Sequence, residues 1–163
     1  MAGLDDLQNL FNKAMQVIPD KLPIIIEVEG LNFIKNNFRT QGFKDGSKRD
    51  WQKRKTTDKN GKDLTRYRTN RKGSAGSFTR FGQRNQGRAI LVGHDTGGDK
   101  LSNSFRSRRS RQRVVFYTYK KYGQRHNEGL DGMPKRQFIG KSATLENNIK
   151  KKLTKELDKV LKK

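Results

Sequence analysis

The chain contains no cysteine, which excludes disulfides and cysteine-based zinc sites and is compatible with a reducing cytoplasm. It has only two histidines, whereas a metal site needs three or four ligands. Acids are scarce: 16 Asp and Glu stand against 38 Lys and Arg, a formal net charge of +22. Charge so one-sided repels itself in a compact state and favours nucleic acid or an acidic surface as partner. No apolar run approaches the roughly 18 residues needed to span a membrane. The start, Met1-Ala2-Gly3-Leu4-Asp5-Asp6, lacks the basic-then-apolar layout of a signal peptide. Large apolar residues are also few. Leu, Ile, Val and Phe make up 36 of 163 residues, just above the roughly 20% below which a highly charged chain does not fold alone. The expectation is a single domain over 1–163 with a small core that gains stability from neighbours or a polyanion.

What is present reads as an α+β chain. Leu4, Leu7, Phe11, Ala14 and Ile18 recur three and four apart, one face of an amphipathic helix. Pro19-Asp20 is expected to end it, with Asp20 capping a second helix over about 22–39 and Pro23 in its first turn. The second face is Ile24, Val28, Leu31, Ile34 and Phe38, with Gly30 as a weak point. Residues 44–88 hold little beyond Leu64, Phe78 and Phe81 to bury, and read as a long basic arm or loop, with room for a short hairpin, that orders against a partner. Ala89 to Val92 reads as a strand, and 103–119 as a hairpin turning at Ser110-Arg111-Gln112. Lys121 to Glu128 makes one or two helical turns, and Arg136 to Ile139 a short extended piece. Ser142 caps a last helix with Leu145, Ile149, Leu153, Leu157 and Leu161 every fourth residue. These helices are expected to pack on a small antiparallel sheet.

Candidate chemistry is sparse. His126 with Glu128, and His94 with Asp95, suggest acid–base work, but a general base needs a positioned substrate and partner. The competing reading is structural: His126 fixes a turn by hydrogen bonding while Tyr122 packs beneath the sheet. We expect no enzyme, no metal and no cofactor. Arg136 has two uses, binding phosphate or pairing with Glu128 across the turn, and the P-x-R-x-F layout favours the internal pair. The densest cations are Arg106, Arg108, Arg109, Arg111 and Arg113, aimed at phosphates or an acidic neighbour, or else merely solvated. In the basic segment, Lys53, Arg54, Lys55, Arg66, Arg68, Arg71 and Lys72 are accompanied by Trp51, Tyr67, Phe78 and Phe81 for stacking or anchoring. No base-reading motif accompanies them, so any DNA contact is expected to be sequence-independent.

One residue order points further. Tyr122-x-x-x-His126-Asn127-Glu128-Gly129 is followed by Pro134-x-Arg136-x-Phe138-x-Gly140-x-Ser142. Ahead of it come a Trp in a basic loop, Trp51-Gln52-Lys53-Arg54-Lys55, and a T-G…L-x-x-S step from Thr96 to Ser104, longer than usual at Gly98-Asp99. This order resembles the phage virion morphogenesis proteins, the tail-completion or neck proteins of tailed bacteriophages. The resemblance implies a structural motif without catalytic residues. It also implies a six- or twelvefold ring at the head–tail junction of the virion, assembled in the host cytoplasm and joining portal or adaptor proteins to tail proteins, in which the arginine hairpin would face either DNA in the channel or an acidic neighbouring ring. The other function compatible with the composition is a sequence-independent nucleic-acid binder of ribosomal or nucleoid type.

Overall fold

The structure, a computed structural model, describes residues 4–70, 76–93 and 97–161, with side chains from residue 8 onward. It is α+β: a long N-terminal helix, a C-terminal helix and two separate two-stranded antiparallel ribbons.

The expected pair of N-terminal helices is one. Helix α1 runs Leu4–Thr40 without interruption and carries Pro19 and Pro23 inside it. A proline removes one intrahelical hydrogen bond and crowds the preceding turn. Tertiary support overrides that cost here. The turn of the ribbon described below lies against the proline stretch, in grooves lined by Pro19, Leu22, Pro23 and Ile26 on one side and Arg111 to Val114 on the other. Asp20, expected as a cap, instead lies within the helix and pairs with Arg111 at 3.6 Å.

Of the expected face, Ile34 and Phe38 are buried and Leu31 packs against the core, but the buried line differs at its start. Ile25, Glu29, Gly30, Phe33, Ile34, Asn37 and Phe38 are buried, whereas Ile24 and Val28 are exposed at 41% and 45%. Gly30 belongs to this line by necessity rather than as a weakness. A Cβ there would lie 2.2 Å from the Phe116 ring, so the missing side chain is what lets the second ribbon close on the helix. Among the described residues nearer the start of α1, Leu10, Phe11 and Met15 are 38%, 64% and 54% exposed.

Strands β1 (Gly42–Asp45) and β2 (Ser47–Asp50) form the first ribbon, turning at Gly46 with φ 72°. Within the basic segment beyond it, the described residues hold a Thr57–Asp63 bridge, an Arg68–Phe78 bridge and helix α2 (Arg80–Asn85), which Thr79 caps by accepting from the Gly82 N–H at 3.0 Å. Its aromatics are engaged locally: Tyr67 packs on Phe81, and Arg68 lies 4.0 Å over Phe78. Trp51, expected to stack or to anchor, is a core residue at 5% exposure and so anchors the segment. The Ala89–Val92 run is not a strand but a turn, with Leu91 at φ 62° and Ile90 and Leu91 laid against the core. The Ile90 N–H is taken by the Gln41 side chain, which leaves no ladder for a strand to join.

Strands β3 (Phe105–Arg109) and β4 (Val114–Thr118) make the expected hairpin, with Phe105 opposite Thr118 and Arg109 opposite Val114. Helix α3 (Gly123–Glu128) follows and ends at Gly129 in the left-handed region, φ 77°. Helix α4 (Ala143–Leu161) lies chiefly along α1 and touches β1, rather than packing on a sheet. Its leucine row is only half-buried, and Lys152 reaches buried Glu29 at 2.6 Å.

The core is aromatic. Phe38 is its centre, with Phe138 stacked at 5.1 Å, Trp51 edge-on at 5.3 Å and Phe105 tilted at 5.8 Å. Such pairs add about 0.5–1.5 kcal/mol each beyond the area they bury, which helps so small a set of apolar residues hold a fold.

The contact at Gly30 sets two effects against each other. Gly30→Ala gains about 1 kcal/mol of helix propensity but overpacks Phe116, at a cost of about 1–3 kcal/mol. Urea unfolding is expected to show a lower midpoint for Gly30→Ala, largely restored by adding Phe116→Leu. A raised midpoint for the single variant would mean that the ribbon does not rest on the helix.

Candidate functional site

The residues singled out by their order come together as one strap. Segment 134–142 passes across the core and is bonded on both sides. On one side, α3 holds it: the Arg136 N–H donates to the His126 carbonyl at 2.7 Å. The Asn127 side-chain oxygen accepts from both the Phe138 and Ile139 N–H groups, at 3.0 and 3.1 Å. On the other side, Asn37 of α1, fully buried, donates to the Phe138 carbonyl at 3.1 Å and accepts from the Lys44 N–H at 3.3 Å. Trp51 Nε1 donates to the Gln137 carbonyl at 2.7 Å.

The strap then delivers α4. Ser142 acts as expected, accepting from the Leu145 N–H at 3.2 Å, and its hydroxyl also donates to the Lys44 carbonyl at 2.7 Å. The Ala143 N–H donates to the Asp45 carboxylate, and the Gly46 N–H to the Thr144 hydroxyl. The first turn of α4 is therefore capped by its own serine and by the β1–β2 turn together.

Three expectations about this motif are corrected. Arg136 does not pair with Glu128. It is buried, and its Nε and Nη2 donate to the Gln52 and Lys53 carbonyls at 3.0 and 3.5 Å, while Glu128 accepts from Gln124. Main-chain carbonyls of the Trp51 loop thus take the place of a carboxylate. His126 does not fix the turn through its side chain: its buried Nδ1 has no hydrogen-bond partner among the described residues, and Asn127 does the fixing. Tyr122 is not beneath a sheet but 43% exposed, edge-on to His126. Burial first, then the charges of Arg136 and Arg125, hold the His126 imidazole below its ordinary pKa.

The arginine cluster is divided by strand alternation. Arg109 and Ser107 face α1, where both reach Glu27, at 3.2 and 2.8 Å, and Arg111 faces Asp20. Arg106 and Arg108 face outward, each 5.8 Å from a tyrosine ring, Tyr119 and Tyr117 respectively. Arg113 is exposed beyond the turn. In the basic segment, Lys53, Lys55 and Arg66 are exposed, Arg54 donates to the Ala89 carbonyl and Arg68 to the Gly76 carbonyl. Arg71, Lys72, His94 and Asp95 lie outside the described residues. Among the described residues no group of three or more His, Cys, Asp or Glu is placed to hold a metal ion, and no helix is long and apolar enough to cross a membrane.

The strap depends on residues that pattern reading passed over. Asn37 interrupts the apolar line of α1 between Ile34 and Phe38, and a polar residue in such a line signals a buried hydrogen-bond partner elsewhere.

Asn127→Ala removes the acceptor of two main-chain donors, one of them on buried Phe138, and stranding a buried donor costs about 1–3 kcal/mol, so urea unfolding is expected to lose about 1 kcal/mol or more. Asn127→Asp, which keeps the accepting oxygen, is expected to lose less; equal losses would show that the oxygen is not what matters. His126 gives a pH dependence. Its folded pKa is depressed, so its contribution is complete above its ordinary value of 6.5 and is lost as pH falls through the lower folded value. The urea midpoint of the parent is expected to fall between pH 7.5 and pH 5 more steeply than that of His126→Gln; parallel declines would place the cause elsewhere. The chain matches no family model, no curated protein and no solved structure.

Proposed function

We propose that this chain is a structural virion protein of a tailed bacteriophage, one subunit of a six- or twelvefold ring that completes the head–tail junction and joins portal or adaptor to tail. The observation that supports this most is the first half of α1. Leu10, Phe11 and Met15 stand exposed on a helix whose second half buries Ile25, Phe33, Ile34 and Phe38. Burying such side chains is worth about 1.5–3 kcal/mol each, and a neighbouring copy supplies the surface. A contact between the projecting half of one helix and the body of the next subunit is heterologous and closes into a ring when its rotation permits. The basic segment 44–88 extends the same contact onto neighbouring subunits.

The strap fits this role. It joins the N-terminal helix, the Trp51 loop and the terminal helix into one body, as a ring subunit under load from capsid and tail requires. The resemblance in residue order supplies the identity of the assembly, and the bonding of its motif residues agrees with the structural part it implies.

Salt separates this reading from a dedicated nucleic-acid binder. Apolar ring contacts between copies of net charge +22 strengthen as salt screens their repulsion, over a Debye length of about 10 Å at 0.1 M. Phosphate contacts weaken instead. Mass photometry and negative-stain images of the purified protein are expected to show closed rings whose fraction rises from 0.05 to 0.3 M salt. Phe11→Asp/Met15→Asp is expected to leave monomers with unchanged helical circular dichroism. A parent protein that stays monomeric at every salt and concentration would overturn the ring.

A further inference from the structure

The outward face of the β3–β4 ribbon has no use in the strap or in the proposed ring contact, and its composition is specific. Strand alternation places Phe105, Ser107 and Arg109 inward with Val114, Phe116 and Thr118. It leaves Arg106 and Arg108 on the outer face with Val115 and Tyr117, continued by Tyr119 just past the strand. Tyr117 and Tyr119 are 42% and 53% exposed. Successive outward residues on a strand lie about 6.6 Å apart, so this face repeats ring, ring beside cation, cation.

We propose that this face is a binding platform for single-stranded nucleic acid, with bases stacked on Tyr117 and Tyr119 and the backbone phosphates held by Arg106 and Arg108. Charge decides the class of partner. Among the described residues Arg106 and Arg108 have no carboxylate partner, in contrast to Arg109 and Arg111, which α1 neutralises through Glu27 and Asp20. Arg106 Nη1 donates to the Asn103 and Phe105 carbonyls, which hold its guanidinium at the exposed surface of the ribbon. Asp99 borders the face, but Lys120 pairs with it at 2.5 Å and the Tyr119 hydroxyl donates to it, so it adds no net repulsion. A second copy of so basic a chain is a poor occupant for an arginine face. A polyanion is a good one.

The rings decide the form of the polyanion. Base faces are available for stacking in a single strand and hidden in a duplex, and aromatic residues on a sheet combined with cations are the recurrent solution for single strands. A surface built only for duplex phosphates would need the arginines and not the exposed tyrosines.

Fluorescence anisotropy with labelled oligo(dT) 20-mer and a 20-base-pair duplex, at 0.15 M salt, tests this. The parent is expected to bind the single strand more tightly. Tyr117→Ala/Tyr119→Ala is expected to weaken single-strand binding by at least about tenfold, as loss of base stacking implies, and duplex binding by less than about twofold. Tyr117→Phe/Tyr119→Phe, which keeps the rings, is expected to stay within about twofold of the parent on both, and this excludes misfolding as the cause of the alanine effect. Arg106→Gln/Arg108→Gln is expected to lower the slope of log affinity against log salt by about 1.4 on the single strand, about 0.7 per phosphate. Lys150→Gln/Lys151→Gln, removing the same charge from exposed positions on α4, is expected to weaken binding less than the arginine pair. Unchanged single-strand affinity in the tyrosine-to-alanine variant would overturn the proposal. So would polyglutamate bound more tightly than oligo(dT) and released by the same variants, which would make the partner an acidic protein. The α1 residues of the ring contact are untouched in these variants, so ring state and strand binding succeed or fail separately.

Discussion

Phe138 is where the fold is decided. Its ring stacks on Phe38 of the first helix, its N–H is taken by Asn127 and its carbonyl by Asn37. A residue in a segment without regular structure would otherwise carry two unpaid main-chain polar groups into the core. Two asparagines, one on each side, make that burial tolerable. The consequence spreads along the chain: Gln137 receives Trp51, Arg136 reaches back to the Trp51 loop, and Ser142 starts the last helix against the first ribbon. Few apolar residues are needed when each is placed by this many directional bonds.

Legibility in the sequence followed how local the causes were. The β3–β4 hairpin and the Ser142-capped helix were readable because alternation, β-branched content and a cap are properties of neighbouring residues. The break at Pro19-Asp20 was misread because the support for the proline stretch comes from residues 109–114, about ninety positions away. The buried line of α1 was misjudged for a related reason. Glycine reads as a helix weakness, yet Gly30 is where Phe116 seats, and that contact selects the Ile25–Phe33 side over Ile24 and Val28. Likewise Trp51 in a basic loop looks like a stacking residue until the Gln137 carbonyl is seen to receive its indole N–H.

The candidate site shows the same division. The motif's residues were legible as a set but not in their roles, since Arg136 and Glu128 look like natural partners when only charge is considered. Burial changes the balance. A guanidinium offers several donors at fixed angles, and the two carbonyls of a passing loop satisfy them while holding that loop in place, which a carboxylate on α3 would not do. His126 then sits beside a buried cation, and burial together with that charge lowers its pKa. The arginine cluster, close in sequence, was divided by the pleat and the turn of the ribbon: Arg109 and Arg111 fasten the hairpin to α1, Arg106 and Arg108 face outward, and Arg113 is exposed beyond the turn.

Two surfaces remain unsatisfied within one copy, and they ask for opposite things. The first half of α1 presents Leu10, Phe11 and Met15 on a cationic body, so in the proposed ring a like subunit would approach them against repulsion. The outer face of β3–β4 presents cations and rings, which an anionic strand approaches with attraction. Salt weakens the second interaction and eases the first, while an anionic strand bound to several subunits relieves the repulsion between them. In the proposed ring, a chain of net charge +22 would gain from a polyanion on its other face: neutralising the ribbon lowers the electrostatic cost of bringing the next helix into contact, which would couple the two surfaces although they share no residue.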